Sequence, residues 1–423
     1  GLGDDVITIN GAGNKTIDGG AGTDSLIVNT GSGRNLTDYT VTYDQSTQQI
    51  TFTASDEVIT VKDIEKYSFA GSTWAYLNTG DNYKPDGSSV SSPEVQFGVD
   101  AFFSIQTNTI KMFDSGSIDN SDWVADYGFT TGNSLTVLGS DAADEIRLNQ
   151  SKIGSATISS GKGDDLVIIF ERGSQTDTVD AGAGDDTVRV STDFATDTLN
   201  GGDGTDTVSF KWGFSSGVTF NLGTHSTNFE NITGSHYNDV LTGDSNANTI
   251  TGDNPETDTG GADTISGLGG NDTLSGNGGN DQIDGGTGAD TITTGAGTDT
   301  VILRVGDGGS TLAAADTITD FTDGTDVLGM DDGLAYSELT IAQGTGSNSS
   351  DTIISKGSEY LAILTGISAS NVNYLDFASM ATGNQSFTGT TGDDVFIGVA
   401  GVDTVTTNTG TDVIVTHGGD DVI

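Results

Sequence analysis

The chain has 423 residues, 33% of them hydrophobic, with 14 basic against 61 acidic side chains and a net charge of −47. Such a chain repels phosphate backbones and anionic lipid, which excludes nucleic-acid binding and membrane attachment through basic patches, and no apolar run approaches the roughly 18 residues of a spanning helix. Only 9 of the acidic residues are Glu, leaving 52 Asp; with 63 Gly, 3 Pro and no Cys, the composition implies many tight turns, no disulfide and no thiolate metal site. Low hydropathy with high charge marks a chain whose carboxylates must be neutralised before it folds.

Residues 1–29 form a first repeat block, with Gly-rich units around Asp5 and Asp24 and a third in which Lys15 takes the acidic position. No charged-then-apolar export segment opens the chain, and both ends fall inside a repeat, so a piece of a longer protein is expected. Residues 30–133 read as a β-rich module with strands at 39–43, 49–53, 58–61 and 95–103, turns at Gly71, Asp86-Gly87 and Gly132-Asn133, and antiparallel pairing. The stretch 85–93 is the expected linker or exposed loop. Phe102, Phe103, Trp123 and Tyr127 suit the core of this module better than a sugar-binding platform.

Residues 134–302 read as a repeat array with an insertion near 210–233. Units centred on Asp144, Asp165, Asp177, Asp186, Asp197 and Asp206 are unevenly spaced; Asp239 follows, and Asn248 replaces the acid in the next unit. From 258 to 302 five nine-residue units run without a gap, the last four reading GLGGNDTLS, GNGGNDQID, GGTGADTIT and TGAGTDTVI. Asp recurs at Asp263, Asp272, Asp281, Asp290 and Asp299, and an aliphatic residue follows two places later each time: Ile265, Leu274, Ile283, Ile292, Val301. Residues 303–388 are expected to be a second β-rich module, with a helical hint at 313–315; Asp316, Asp320, Asp323 and Asp326 suit a further ion or turns equally. Residues 389–423 close with a truncated block around Asp394, Asp403, Asp412 and Asp421.

The unit G-G-x-G-x-D-x-U-x, U being aliphatic, has two halves. Its glycines supply positive-φ backbone and inward carbonyls, and D-x-U-x alternates as a very short strand. Nine residues cannot bury a face alone, so two units make one coil and stacked coils make two parallel sheets around a thin apolar interior. At a coil spacing of about 4.8 Å the Asp side chains line up in columns that repel one another. Ca²⁺ answers this best, because it takes six to eight oxygen ligands, carbonyls included, in flexible geometry; three scattered His and no Cys argue against zinc or copper.

This array resembles the RTX, or haemolysin-type calcium-binding, family. The run from Asn231 through Asp239 to Gly243 is similar to the way such blocks begin, and 316–328 and 374–377 resemble the strands that follow them. The resemblance implies several Ca²⁺ ions held between the turns of a parallel β-roll, type I export with an uncleaved C-terminal signal, and folding outside a bacterial cell. The expected fold class is all-β, with parallel β-roll or β-helix blocks interleaved with β-sandwich-like modules.

Chemistry beyond metal binding finds little support. There is no H-E-x-x-H. Gly213-Phe-Ser215-Ser-Gly217 matches G-x-S-x-G, but a nucleophile elbow needs a strand-to-helix turn in an α/β fold. The glycines of the tandem units lack the third Gly of a dinucleotide loop. His225, His236 and His417 share no spacing, and the pairs Asp4-Asp5, Asp164-Asp165 and Asp185-Asp186 should point to opposite faces of a strand rather than converge on a sugar. The expected function is therefore a non-enzymatic, calcium-dependent, secreted or cell-surface structural protein, part of a surface layer, adhesin or filament, self-associating or bound to other surface components. The alternative is the repeat region of a secreted toxin or hydrolase with its catalytic domain elsewhere; a glycan-binding tip using Trp74 or Trp123 is a third class.

Overall fold

The structure, a computed structural model, describes residues 2–21, 24–29, 39–44, 49–62, 66–69, 72–77, 101–104, 109–112, 117–119, 134–149, 155–170, 176–191, 194–211, 214–253, 260–381, 383–399, 401–416 and 419–423. The 85–93 stretch, the first part of the strand expected at 95–103, the turns at Gly71, Asp86-Gly87 and Gly132-Asn133, Trp123, Tyr127 and His417 lie outside these residues.

The short strands arise from the D-x-U-x half of each unit. In Thr273–Ser275 the flanking side chains face outward while Leu274 is 0% exposed, and the same pattern holds in Thr264–Ser266, Gln282–Asp284 and Thr291–Thr293. Three residues are too few to hold a strand alone, so each depends on the coils before and after it. The result is all-β: among the described residues the one α-helix is the four-residue Leu222–His225.

The chain divides into two compact units, Gly1–Val208 with His225–Phe229, and Ser209–Thr224 with Glu230–Ile423. In the second, strands pair in parallel with register Ile265↔Ile283 in one sheet and Leu274↔Ile292 in the other, an offset of eighteen residues, so that two nine-residue repeats make one coil. Ile265, Leu274, Ile283, Ile292 and Val301 are all fully buried, each contributing about 1.5–3 kcal/mol of hydrophobic stabilisation. Asp316–Ile318 and Val327–Met330 add in parallel to these two sheets. Glu359–Leu364 then pairs in parallel with Asp316–Ile318 and carries the antiparallel strands Thr352–Lys356 and Leu339–Gln343. The helical hint becomes a 3-10 turn at Leu312–Ala314. Near the C-terminus Ser386–Thr388 pairs with Thr404–Thr406, and Val395–Ile397 with Val413–Val415.

In the first unit the coils are longer. Leu166 pairs with Thr187 and Thr178 with Thr198, offsets of 21 and 20 residues, which accounts for the uneven Asp spacing there. Val6–Asn10, Ser25–Asn29 and Lys66–Phe69 run parallel, and the sheet continues through antiparallel Ser72–Leu77, Ala101–Ser104 and Thr109–Met112. A four-stranded sheet joins Lys15–Asp18 in parallel to Glu57–Lys62, followed by antiparallel Gln49–Ala54 and Thr40–Asp44. Leu26, Val28, Tyr39, Phe52, Ile59 and Val61 belong to one buried cluster here, with Tyr39 edge-on to Phe52 at 6.2 Å.

Candidate metal centre

Each repeat Asp stands two residues before its inward aliphatic side chain, so strand alternation turns both the same way. Asp272, Asp281, Asp290 and Asp299 are 2% exposed or less, and Asp165, Asp177, Asp186, Asp206, Asp239, Asp263 and Asp403 are at most 3% exposed. The neighbouring acid points away: Asp164 and Asp185 are exposed where Asp165 and Asp186 are buried. These pairs therefore do not converge.

The buried carboxylates form ladders. The backbone N–H of Asp239 donates to Asp263 Oδ1 at 2.7 Å, Asp263 to Asp281 at 2.8 Å, Asp281 to Asp299 at 2.8 Å and Asp299 to Asp326 at 3.2 Å. A second column runs from Asn248 to Asp272, Asp290 and Asp316 at 2.8, 2.8 and 3.0 Å. In the first unit Asp144, Asp165, Asp186 and Asp206 form one ladder, Asp177 and Asp197 another, and Asp5 donates to Asp24. Asp403 donates to Asp421 and Asp394 to Asp412. All eighteen Asp singled out by the sequence thus occupy ladder positions. Asp316 and Asp326 extend two columns beyond the nonapeptides, and Asp320 takes the N–H groups of Thr294 and Gly295 at 2.8 and 2.9 Å, whereas in the coil before the N–H of Gly276, equivalent to Thr294, goes to the backbone carbonyl of Thr293.

One carboxylate oxygen is left over. Oδ2 of Asp186, Asp263, Asp272, Asp281 and Asp299 is buried without a hydrogen-bond partner. Burial pushes the Asp263 carboxyl up to about 8, Asp165 and Asp281 to about 7, and Asp186 and Asp272 to about 6, with neighbouring carboxylates adding to the rise and the ladder N–H groups opposing it. A bound cation would reverse that pressure.

The glycines place backbone beside these oxygens. A Cβ on Gly285 would lie 2.3 Å from Asp290 Oδ2, and one on Gly288, whose φ is +147°, would lie 1.6 Å from Gly270 O. Only glycine fits both places. Among the described residues none of the backbone hydrogen bonds ends on the carbonyls of Gly270, Gly279 or Gly288. Nor do three acidic or His side chains gather there into one cluster. The donor set is thus unpartnered carboxylate oxygen plus free turn carbonyl, the hard all-oxygen set that suits Ca²⁺ and not zinc.

Some turns among the described residues carry the chain's own cations. Lys15, in the place of the repeat Asp, donates from Nζ to Ala12 O and Gly13 O at 3.1 and 3.0 Å. Arg304 reaches Asp284 Oδ1 at 2.6 Å and Asp331 Oδ2 at 3.1 Å, carboxylates of the coils on either side of it. The other candidates stay apart from this chemistry. Ser215 lies on an exposed bend followed by the strand Thr219–Asn221, and His225 and His236 pack against Phe194 and Tyr237.

Comparison with known proteins matches the RTX calcium-binding nonapeptide repeat at residues 11–34, 173–208, 189–214, 227–254, 257–292, 276–308 and 388–423. No curated protein matches. Among solved structures, extracellular lipase LipA from Serratia marcescens is 14% identical, with 63% of this chain and 45% of that one covered and a TM-score of 0.24. The chain spans under half the length of that lipase.

Proposed function

We propose that this chain, which carries RTX calcium-binding nonapeptide repeats, is a calcium-dependent structural segment of a secreted bacterial protein, folding as Ca²⁺ loads its turns and contributing to a surface layer, adhesin or filament. The observation that carries the reading is the set of buried, partnerless carboxylate oxygens. Leaving an unpaired carboxylate in a dry interior costs several kcal/mol, and a divalent cation removes the cost. At cytosolic calcium the −47 charge keeps the chain extended; at the 10⁻⁴ to 10⁻³ M range typical of extracellular modules, binding and folding coincide. Sheet edges offer unpaired backbone groups for lateral association.

The test is a calcium titration of chelator-treated protein, followed by far-UV circular dichroism and light scattering together. The expected outcome is a coil-to-β transition accompanied by growth of large regular particles. A folded strict monomer at millimolar calcium would remove the assembly role, and a chain already β-structured and indifferent to calcium would remove the metal.

A further inference from the structure

Among the turns that precede the ladder Asp residues two kinds recur, distinguished by the second residue of the unit. In one kind that residue has a left-handed backbone: φ is +73° at Leu268, +68° at Asn277, +84° at Gly286 and +99° at Gly295. These lead to Asp272, Asp281, Asp290 and Asp299, each with an Oδ2 that no N–H of its own turn approaches. In the other kind the residue is Ser, Thr, Asp or Val without positive φ, and its N–H donates to the side chain four residues on. Ser235 donates to Asp239 Oδ2 at 2.6 Å, Asp244 to Asn248 Oδ1 at 2.8 Å, Thr322 to Asp326 Oδ2 at 2.7 Å and Thr390 to Asp394 Oδ2 at 2.7 Å; Ser140 with Asp144 and Val399 with Asp403 repeat the arrangement.

The hydroxyl adds a second closure. Ser235 Oγ donates to Asp239 Oδ1 at 2.9 Å and accepts from Tyr237 N at 3.1 Å, and Thr390 Oγ accepts from Gly392 N at 3.2 Å. Such side-chain-to-backbone bonds complete a turn locally. Three donors, the N–H groups of Val218 and Ser235 and the Ser235 hydroxyl, occupy both oxygens of the Asp239 carboxylate and leave little of its acceptor capacity for a cation, and the amide of Asn248 fills the same place with one charge fewer. The two kinds are also ordered along the chain. Asp239 and Asn248 lead into the open turns of Asp272 to Asp299, and Asp326 follows them.

We infer that Ca²⁺ enters only the open turns, those with a left-handed second residue and an unpartnered buried Oδ2, and that the self-closed turns stay metal-free and frame the array at both ends. The inference rests on the calcium reading above and says which turns it applies to. A self-closed turn is complete before the ion arrives and gives the first calcium-dependent coil a finished edge to build on.

The test compares Asp281→Asn with Asp239→Asn in the full chain, counting bound calcium by native mass spectrometry and following the folding midpoint in a calcium titration. Asp281→Asn should lose at least one ion and raise the midpoint about tenfold or more, while Asp239→Asn should keep the wild-type ion count and midpoint. Ser235→Gly, which removes the hydroxyl from Asp239 Oδ1 and admits the left-handed backbone of the open turns, should gain an ion. Equal ion loss in both Asn variants, or none in Asp281→Asn, overturns the inference while the calcium reading stands; a wild-type chain that takes up no calcium defeats that reading and this inference with it. Hydrogen exchange in chelator gives an ion-free readout: the Ser235 and Thr390 amides should exchange more slowly than those of 268–272, and equal rates count against the distinction.

Discussion

In the tandem array each half-coil adds one aliphatic side chain to the interior and sets a carboxylate beside it, whereas around Lys15 the interior holds the Tyr39–Phe52 pair with Leu26, Val28, Ile59 and Val61, and an ammonium occupies the turn. The array therefore has little apolar burial per residue and an anionic column to neutralise, while the N-terminal block has aromatic burial and supplies a cation from its own sequence. The same backbone pattern thus tolerates two sources of stability, and dependence on calcium should differ from region to region.

The largest contrast should come from chelation. Hydrogen exchange with excess chelator should melt 260–302 while 49–61 keeps measurable protection; uniform loss across both would erase the distinction. Next is Ile283→Ala, which empties a fully buried site and should cost about 2–5 kcal/mol in the calcium-loaded protein, read from denaturant unfolding.

Acidity should sharpen the comparison further. In chelator the carboxyls of Asp263, Asp281 and Asp272, raised to about 8, 7 and 6 from the usual 3.8, hold protons in the folded array that the unfolded chain has already released. The unfolded state then binds fewer protons, so stability falls as pH rises from about 4 to about 8. Saturating calcium should abolish or invert that slope, because the ion competes with the proton; circular-dichroism melts across the range, with and without calcium, measure it. Lys15→Met should cost about 1 kcal/mol, the order of an ordinary hydrogen bond, because the ammonium is partly solvated, and should speed exchange in 6–18 whether or not calcium is present. The smallest effect is a gain: Leu268, 50% exposed and held at φ +73°, should become about 1 kcal/mol more favourable as Gly, seen as a small rise in Tm.

The periodic features were legible in the sequence. Asp and aliphatic residues at fixed offsets gave the coil, the inward faces and the ladder positions, because a repeat strand shorter than four residues leaves only one way to hide its apolar side chain. The 20- and 21-residue coils were not, since their added residues break the period while the pairing survives. Asp316 and Asp326 were ambiguous because the units around them have lost the leading pair of glycines; Thr322, without positive φ, closes the second turn through its N–H. Leu268 concealed a left-handed position under an apolar side chain. The split between open and self-closed turns was written in the second residue of each unit, yet its meaning depends on the direction of an N–H vector that composition does not reveal.

Side-chain bonds between coils run both ways: on the buried side the main-chain donor of a coil is satisfied by the side chain of the coil that follows it in sequence, while on the exposed side Ala262, Ala289 and Thr298 donate to Asn238, Asn271 and Asn280 of the coil before. Each coil is therefore stitched to both of its neighbours, and a break in one row leaves the other to hold the register.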